Sequence, residues 1–451
     1  MSLLSLSGHV PDDVLAQLVP TRAALPRRAD VVVIGGGIVG CASAYYLAAA
    51  GFSVALVERD TVSSQQSGRN WGFVRTQYRD PLELPLAVEA LSIWPELERE
   101  LGEAVGWRRT GCVFVAETEA EHAAFARWRD TTREISSEAR MLSRQETEEL
   151  LPPLSKPVKG ALFTASDGQA EPALATMAFA RAATRAGVRI IEDCGVFAIE
   201  RSAGRVSGVL TEHGRIEANL VVCAAGAQSH RLLAPLGLTL PQQNVRSTVS
   251  LTAPLPPLSE PCFCGYGIGL RQRADGSCII AADSCSDIDL TLDSMRAMRF
   301  FLPEFLRHRS GFSLRLGRPL LDDLHERLAV PKPERAAAGR RPRIPANRDR
   351  AERTGEVVRG LFAGSTGLAI VKSWAGYIDV LPDALPVLDA PGAVSGLIVA
   401  TGFSGHGFGL GPAVGRHVAH LAKGEPADHA IAPLKLERFA RGTYARAHAP
   451  L

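Results

Sequence analysis

The chain has 451 residues, 46% of them hydrophobic and 22% charged, a balance that excludes wholesale disorder. At roughly 100–200 residues per domain, that length holds two to four domains. Fifty Lys and Arg against 48 Asp and Glu leave a formal charge of +2, which gives no argument for nucleic acid or an acidic membrane as a partner. Several of the eight cysteines stand in apolar runs such as Leu220-Val221-Val222-Cys223, as buried thiols do, and their spacing is not that of a secreted disulfide framework. Cys262-Phe263-Cys264 has no second cysteine pair or clustered His beside it, so no metal is expected. The first fifteen residues lack a basic leader and a sustained apolar core, and a reducing cytoplasm is the expected location.

Residues 1–28 read as a polar extension with prolines at 11, 20 and 26. A strand over 31–34 runs into Gly35-Gly36-Gly37-Ile38-Val39-Gly40, then an Ala-rich helix over about 38–50 closed by Gly51. A second strand over 53–57 ends at Glu58. Charged helical patterns over 83–101 and 119–150 flank a strand at 111–116. An amphipathic helix over 172–187 precedes strands at 188–192, 195–200, 205–211 and 221–226. The stretch 243–285 reads as antiparallel β with a turn at 274–276. Residues 331–356, with prolines at 331, 333, 342 and 345 and seven arginines, look least ordered; they read as a solvated insertion or a docking surface for a partner subunit. A strand over 396–401, a glycine-rich turn and a helix from Pro412 to Lys423 follow. Residues 31–57 and 390–415 hold no Asp, Glu, Lys or Arg, but glycines divide each into strand, turn and small-residue helix, so no membrane span is expected.

Gly35-x-Gly37-x-x-Gly40 follows an apolar strand and opens a helix, the context in which such glycines bind a dinucleotide. The first allows the tight turn, the second lets backbone approach a pyrophosphate, and the third lets helix and strand pack closely. The helix start offers N–H groups and a positive dipole end to the phosphates. Glu58, 23 residues after Gly35, can accept from a ribose diol and disfavours a 2′-phosphate, which argues against NADP. FAD and NAD share this fingerprint.

Four segments carry a family resemblance: the glycine motif with Glu58-Arg59; Ser63-Ser64-Gln65-Gln66-Ser67-Gly68-Arg69-Asn70; Val221-Val222-Cys223-Ala224-Ala225-Gly226-Ala227; and Trp374-Ala375-Gly376 with Pro382-Asp383 and Pro386, followed by Gly402-Phe403-Ser404-Gly405-His406-Gly407. In these the chain resembles, from about residue 30 to 440, the D-amino acid oxidase/sarcosine oxidase family of FAD-dependent amine oxidases and dehydrogenases. The resemblance implies an α/β fold: a discontinuous Rossmann-like FAD-binding domain (1–90, 155–235 and 360–451) with an inserted, mainly antiparallel β-sheet substrate domain (91–154 and 236–359). It implies FAD contacts from Gly35, Gly37, Ile38, Val39, Gly40, Glu58, Arg59, Gln66, Ser67, Gly68, Arg69, Asn70, Trp71, Val196, Ala224, Ala225, Gly226 and Gly376. At the end of the flavin where a helix dipole favours reduction, it implies contacts from Gly402, Gly405, His406, Gly407, Phe408 and Gly409. Some relatives bind flavin covalently; the matching cysteine position is Gly376 here and no His occurs between 10 and 121, so noncovalent FAD is expected.

The implied reaction is oxidation of a C–N bond in a small amine or amino acid by hydride transfer to flavin N5, followed by hydrolysis of the imine. Relatives anchor the substrate carboxylate with Arg or Lys, and this chain departs at both usual places, reading Tyr377-Ile378-Asp379 and Phe408-Gly409. Three readings stay open: the anchor has moved to Arg75 or Arg271; the substrate presents a second cation to Asp379, as a polyamine, opine or basic amino acid would; or Asp379 pairs structurally with Arg75 or Lys372. Tyr377 and Trp374 would wall the pocket, and His406 would touch flavin. Residues 278–284 hold no Lys to promote reaction with oxygen, which leans toward a quinone or protein as electron acceptor over oxygen. The alternatives are an FAD-dependent 2-hydroxy acid or polyol dehydrogenase of the same fold, and a flavin-bearing electron-transfer subunit of a complex.

Overall fold

A computed structural model describes residues 24–136, 138–283, 286–308, 312–337 and 344–445. Most of the expected N-terminal extension, Ser284, Cys285 and residues 338–343 of the Arg- and Pro-rich stretch lie outside the described residues. In chain order the elements used below begin with β1 (Val31–Ile34), α1 (Ile38–Ala49), β2 (Val54–Val57), α2 (Leu84–Ile93), β3 (Cys112–Ala116), α3 (Glu119–Thr132), β4 (Ala139–Leu142), α4 (Arg144–Leu150) and β5 (Gly160–Thr164). They continue with α5 (Pro172–Arg185), β6 (Arg189–Ile191), β7 (Val196–Ser202), β8 (Arg205–Thr211), β9 (Gly214–Glu217), β10 (Leu220–Cys223), α6 (Ser229–Leu233), β11 (Gln243–Thr252), β12 (Cys262–Gly265), β13 (Ile268–Gln272) and β14 (Cys278–Ala282). The last are β15 (Ser286–Asp289), α7 (Leu292–His308), β16 (Phe312–Arg315), α8 (Arg318–Ala329), α9 (Arg348–Leu361), β17 (Ile370–Val380), β18 (Val387–Asp389), β19 (Leu397–Thr401) and α10 (Gly407–Ala422).

A six-stranded sheet in the order β18-β19-β10-β1-β2-β6 forms the floor of the molecule. Its pairings are parallel except that between β18 and β19. These strands read as unbroken apolar runs because both faces are covered. Val31, Val33, Val54 and Leu56 point into one core with α1, α2, α5 and α10, whereas Val32, Ile34, Ala55 and Val57 point into another with the β7–β9 meander and α6. Alternation on two apolar faces fixes the register, since a one-residue slip would exchange the two cores.

A larger mixed sheet, in the order β16-β15-β11-β14-β13-β12-β3-β5-β4 with β17 also paired to β11, stands over the floor. The sequence places residues 160–164 and 370–380 with the cofactor-binding segments, but both are strands of this larger sheet, β5 on β3 and β17 on β11. Conversely, residues 91–101, assigned by sequence to the substrate segments, bury Ile93, Trp94, Leu97 and Leu101 in the floor core beside α1.

The helical pattern over 119–150 is two helices and a strand. Thr118 and Glu121 form one capping box and Ser143 and Glu146 a second, so the chain restarts a helix at 144 after pairing β4 to β5. The stretch at 331–356, expected to be least ordered, includes most of α9, which inserts Val358 and Leu361 into the core of the large sheet. Asn347 caps it, accepting from the Arg350 N–H at 3.2 Å. The helix expected from Pro412 starts at Gly407, five residues before that proline, which lies inside it. No helix among the described residues is long and apolar enough to cross a membrane.

Candidate active site

A cleft of about 2150 Å³ lies between floor and large sheet, walled by the turns that leave β1, β2, β10 and β19. The first turn is built for backbone. Gly35 donates to the Val57 carbonyl at 2.9 Å, and a Cβ on Gly35 or Gly40 would run into the Ala224 or Gly35 carbonyl oxygen respectively. Glu58 accepts from the Gly36 N–H at 2.5 Å and the Asp60 N–H at 2.7 Å. Burial raises its carboxyl above the usual range, and those two N–H groups oppose the rise. Ser67 Oγ accepts from the Ile38 N–H at 2.9 Å and so caps α1, whose N-terminus opens on the cleft.

Cys194 and Val196 line the cleft, as do Glu58, Arg59, Ala224, Ala225 and Gly226. The Ser63 and Ser64 hydroxyls on the wall are buried with no hydrogen-bond partner among the described residues. Orphan hydroxyls, a side-chain-free glycine turn and a helix start along one long cleft fit the pyrophosphate and polyol of a dinucleotide. Arg69 donates to the Ser64 carbonyl at 2.8 Å and the Ala375 carbonyl at 2.9 Å, while Trp374 donates to the Arg69 carbonyl at 3.0 Å, tying the second segment to β17. Gln66, Asn70, Trp71, Gly376, Gly405, Gly407 and Phe408 line the cleft. Gly40, Gly68, Gly402 and Gly409 do not: Gly40 and Gly68 are pressed against backbone, Gly402 donates to Asp379, and the Gly409 carbonyl accepts from Trp94 at 2.8 Å.

The candidate substrate residues separate. Arg75 lines the cleft, its guanidinium 5.2 Å from the Phe114 ring centroid and donating to the Gln77 carbonyl, with no carboxylate within 4.0 Å among the described residues. Arg271 does not line the cleft; it is 1% exposed and held by Glu171 at 2.9 Å, so it is a structural ion pair beneath Gly72. Asp379 pairs with neither Arg75 nor Lys372. Its carboxylate accepts from the Gly402 N–H and from Gln242 Nε2, both at 3.0 Å. Burial pushes it up to about 6 against those hydrogen bonds; both end on Oδ2 and fasten β17 to the last turn, while the residue also lines the cleft. Tyr377 donates to Asp289 at 2.8 Å, and burial and that carboxylate raise its phenol.

His406 caps α10 and faces the cleft, with Nδ1 2.9 Å from Glu83 Oε2. Glu83 is fully buried, yet its carboxyl lies below the usual range, because His406 and Arg79 outweigh the desolvation that opposes them. Burial, and next the Arg79 charge, hold the His406 imidazole down to about 4, so it is neutral at physiological pH. Sequence reasoning missed this Glu83–His406 pair; its signal was the i,i+4 spacing of Arg79 and Glu83 before an apolar helix. It also missed Asp167, which accepts from the Thr76 and Gln77 N–H groups at 2.8 and 3.0 Å and fixes the segment carrying Arg75.

Comparison with known proteins agrees with this geometry. The model of a family described as FAD dependent oxidoreductase matches residues 30–421. The chain is 26% identical over 424 residues to sarcosine oxidase subunit beta of Rhizobium meliloti, covering 92% of this chain and 89% of that one. It is 28% identical over 426 residues to glycine oxidase of Geobacillus kaustophilus, covering 92% and 98%. Among solved structures, L-amino acid deaminase from Proteus myxofaciens superposes with a TM-score of 0.85 at 25% identity, covering 93% of this chain and 95% of that one.

Proposed function

The chain belongs to the FAD dependent oxidoreductase family, and from that premise we propose that this enzyme oxidises the C–N bond of an amine or amino acid, sarcosine-, D-amino-acid- or opine-like, with FAD held noncovalently. The observation that carries the reading is Arg75, a cleft cation with no carboxylate partner among the described residues, on the same cleft as neutral His406. Arg75 takes the substrate carboxylate by charge-assisted hydrogen bonds. Ionised Glu83 accepts a hydrogen bond from the Nδ1–H of neutral His406, which leaves Nε2 free to accept a hydrogen bond from a substrate nitrogen bound as the neutral amine. The chemistry that bound FAD would supply here is acceptance of a hydride equivalent from the carbon that bears nitrogen. Trp71 and Phe114 on the cleft wall limit the access of water, and the released imine hydrolyses in solution.

The turn from Gly35 to Ile38, Glu58, the Ser63–Asn70 segment, Ala224–Gly226 and Gly405–Phe408 would hold the cofactor. A glycine at 376, where an added Cβ meets Arg69, supports attachment without a covalent bond. The acceptor is oxygen, or a quinone or protein. A second reading, oxidation of a 2-hydroxy acid or polyol, draws on the same Glu83–His406 pair, since a neutral imidazole beside the cleft would also accept a hydrogen bond from an alcohol.

An anaerobic absorbance titration with sarcosine, glycine, D- and L-amino acids, opines and polyamines, against 2-hydroxy acids, decides between them. Bleaching of the flavin band by an amine is the expected result, and readmitted air then distinguishes oxidase from dehydrogenase. Bleaching by hydroxy acids alone would overturn the amine reading.

A further inference from the structure

Helices α7 and α8 are turned inside out. On α7, Met295, Met298 and Leu302 recur at i, i+3 and i+7 and are 59%, 41% and 46% exposed; on α8, Leu321, Leu324 and Leu328 repeat the spacing at 65%, 38% and 88%. Leu314 and Leu316, between them, extend the same run. Eight of the 13 exposed large hydrophobic residues described in the chain lie within these 34 positions. The polar residues face inward instead. Asp293, Asp323 and Glu326 meet Arg231 of α6, and Arg327 bonds Asp293 at 2.7 Å and Asp323 at 3.1 Å. A surface helix ordinarily does the reverse, and a monomer seldom exposes so large an apolar patch without a use for it.

The fringe of this ridge is basic. Arg296, Arg299, Arg315 and Arg318 are exposed; Arg296 and Arg315 each reach back to a shielded carboxylate, Asp293 and Asp287, at 3.5 Å, and Asp322, 3.8 Å from Arg318, is the one exposed carboxylate among the described side chains of these elements. The acidic groups lie beneath and the arginines outside, so the positive charge is set at the surface. The basic fringe also argues against a second copy of the chain as the occupant, because a two-fold pairing would set arginine against arginine. Amphipathic helices with leucine and methionine on one side and arginine at the border match a lipid–water interface.

We propose that α7, β16 and α8 form a docking surface for an anionic lipid bilayer, with the Met and Leu ridge among the acyl chains and the arginines at the headgroup phosphates. The proposal does not depend on which substrate the cleft takes. Its test is sedimentation of the full-length holoprotein with phosphatidylcholine vesicles, with and without phosphatidylglycerol. Two variants accompany the wild type, the triple change Leu321→Glu, Leu324→Glu and Leu328→Glu, and the double change Arg296→Glu and Arg299→Glu, each checked by flavin absorbance. The wild type is expected to bind the mixed vesicles about tenfold better than phosphatidylcholine alone, and each variant to lose about tenfold of that binding. If the triple variant fails to retain flavin, the double variant decides. A wild type that stays in the supernatant, or variants that bind as it does, would overturn the proposal. So would a wild-type dimer on size exclusion that the triple variant breaks, since the occupant would then be a second copy.

Discussion

Glu58 commits both carboxylate oxygens to main-chain N–H groups at the mouth of the glycine turn, so it shapes the cofactor site as well as facing it. Glu58→Gln removes the charge from two hydrogen bonds worth about 1.5–3 kcal/mol each when charge-assisted, and FAD affinity should fall about tenfold or more in a fluorescence-quenching titration. Arg75→Ala should lower kcat/KM for carboxylate-bearing amines about 10- to 100-fold while sparing amines without a carboxylate. His406 carries a pH signature. Its folded value of about 4 lies below the 6.5 of a free imidazole, so the unfolded chain binds a proton first as pH falls. Its contribution to stability is complete above pH 6.5 and is lost progressively down to about 4, roughly 3 kcal/mol in all. Thermal melts of wild type and His406→Asn across that window should therefore show the wild type losing ground on acidification. The glycine turn was legible in the sequence because its chemistry is local. Arg271 was not: its partner Glu171 lies 100 residues away, and nothing near 271 in the chain distinguishes a buried ion pair from a pocket cation.

At the level of elements, the turn and α1 act as one unit through Gly40, whose missing Cβ lets the helix lie on the Gly35 carbonyl. Gly40→Ala gives the helix a better former and forces it off the turn; overpacking of this kind costs about 1–3 kcal/mol or more, and flavin content of the purified variant should drop with its melting temperature. Arg231 gathers Asp293, Asp323 and Glu326 and thereby pins α7 and α8 to α6. Arg231→Ala leaves those carboxylates facing one another, so limited proteolysis should cut between 292 and 329 at lower protease concentration than in wild type. Helix periodicity gave the existence of the C-terminal helix but misplaced its start. Pro412 invites a first-turn reading, yet the helix begins at Gly407, where the N-terminal turn lies against the cleft. The pattern over 119–150 misled for a similar reason, because Ser143 and Glu146 announce a second helix only once β4 is seen to pair with β5.

For the molecule as a whole, strand order was the least legible property. Residues 160–164 and 370–380 look like neighbours of the cofactor segments in the chain, and only their pairing with β3 and β11 assigns them to the other sheet. The floor, in turn, is assembled from three distant stretches: β1 lies between β2 and β10, and β10 lies between β1 and β19. A chain that stops before β18 keeps the whole glycine motif and still lacks the edge of its sheet and the helix that closes the cleft. On a ribosome, the nucleotide fingerprint emerges some 340 residues before its last supporting strand. Capture of the yellow cofactor thus waits on that strand: nascent chains halted between the two should remain colourless, and only those that include β19 and α10 should gain the protection that a bound ligand lends against proteolysis.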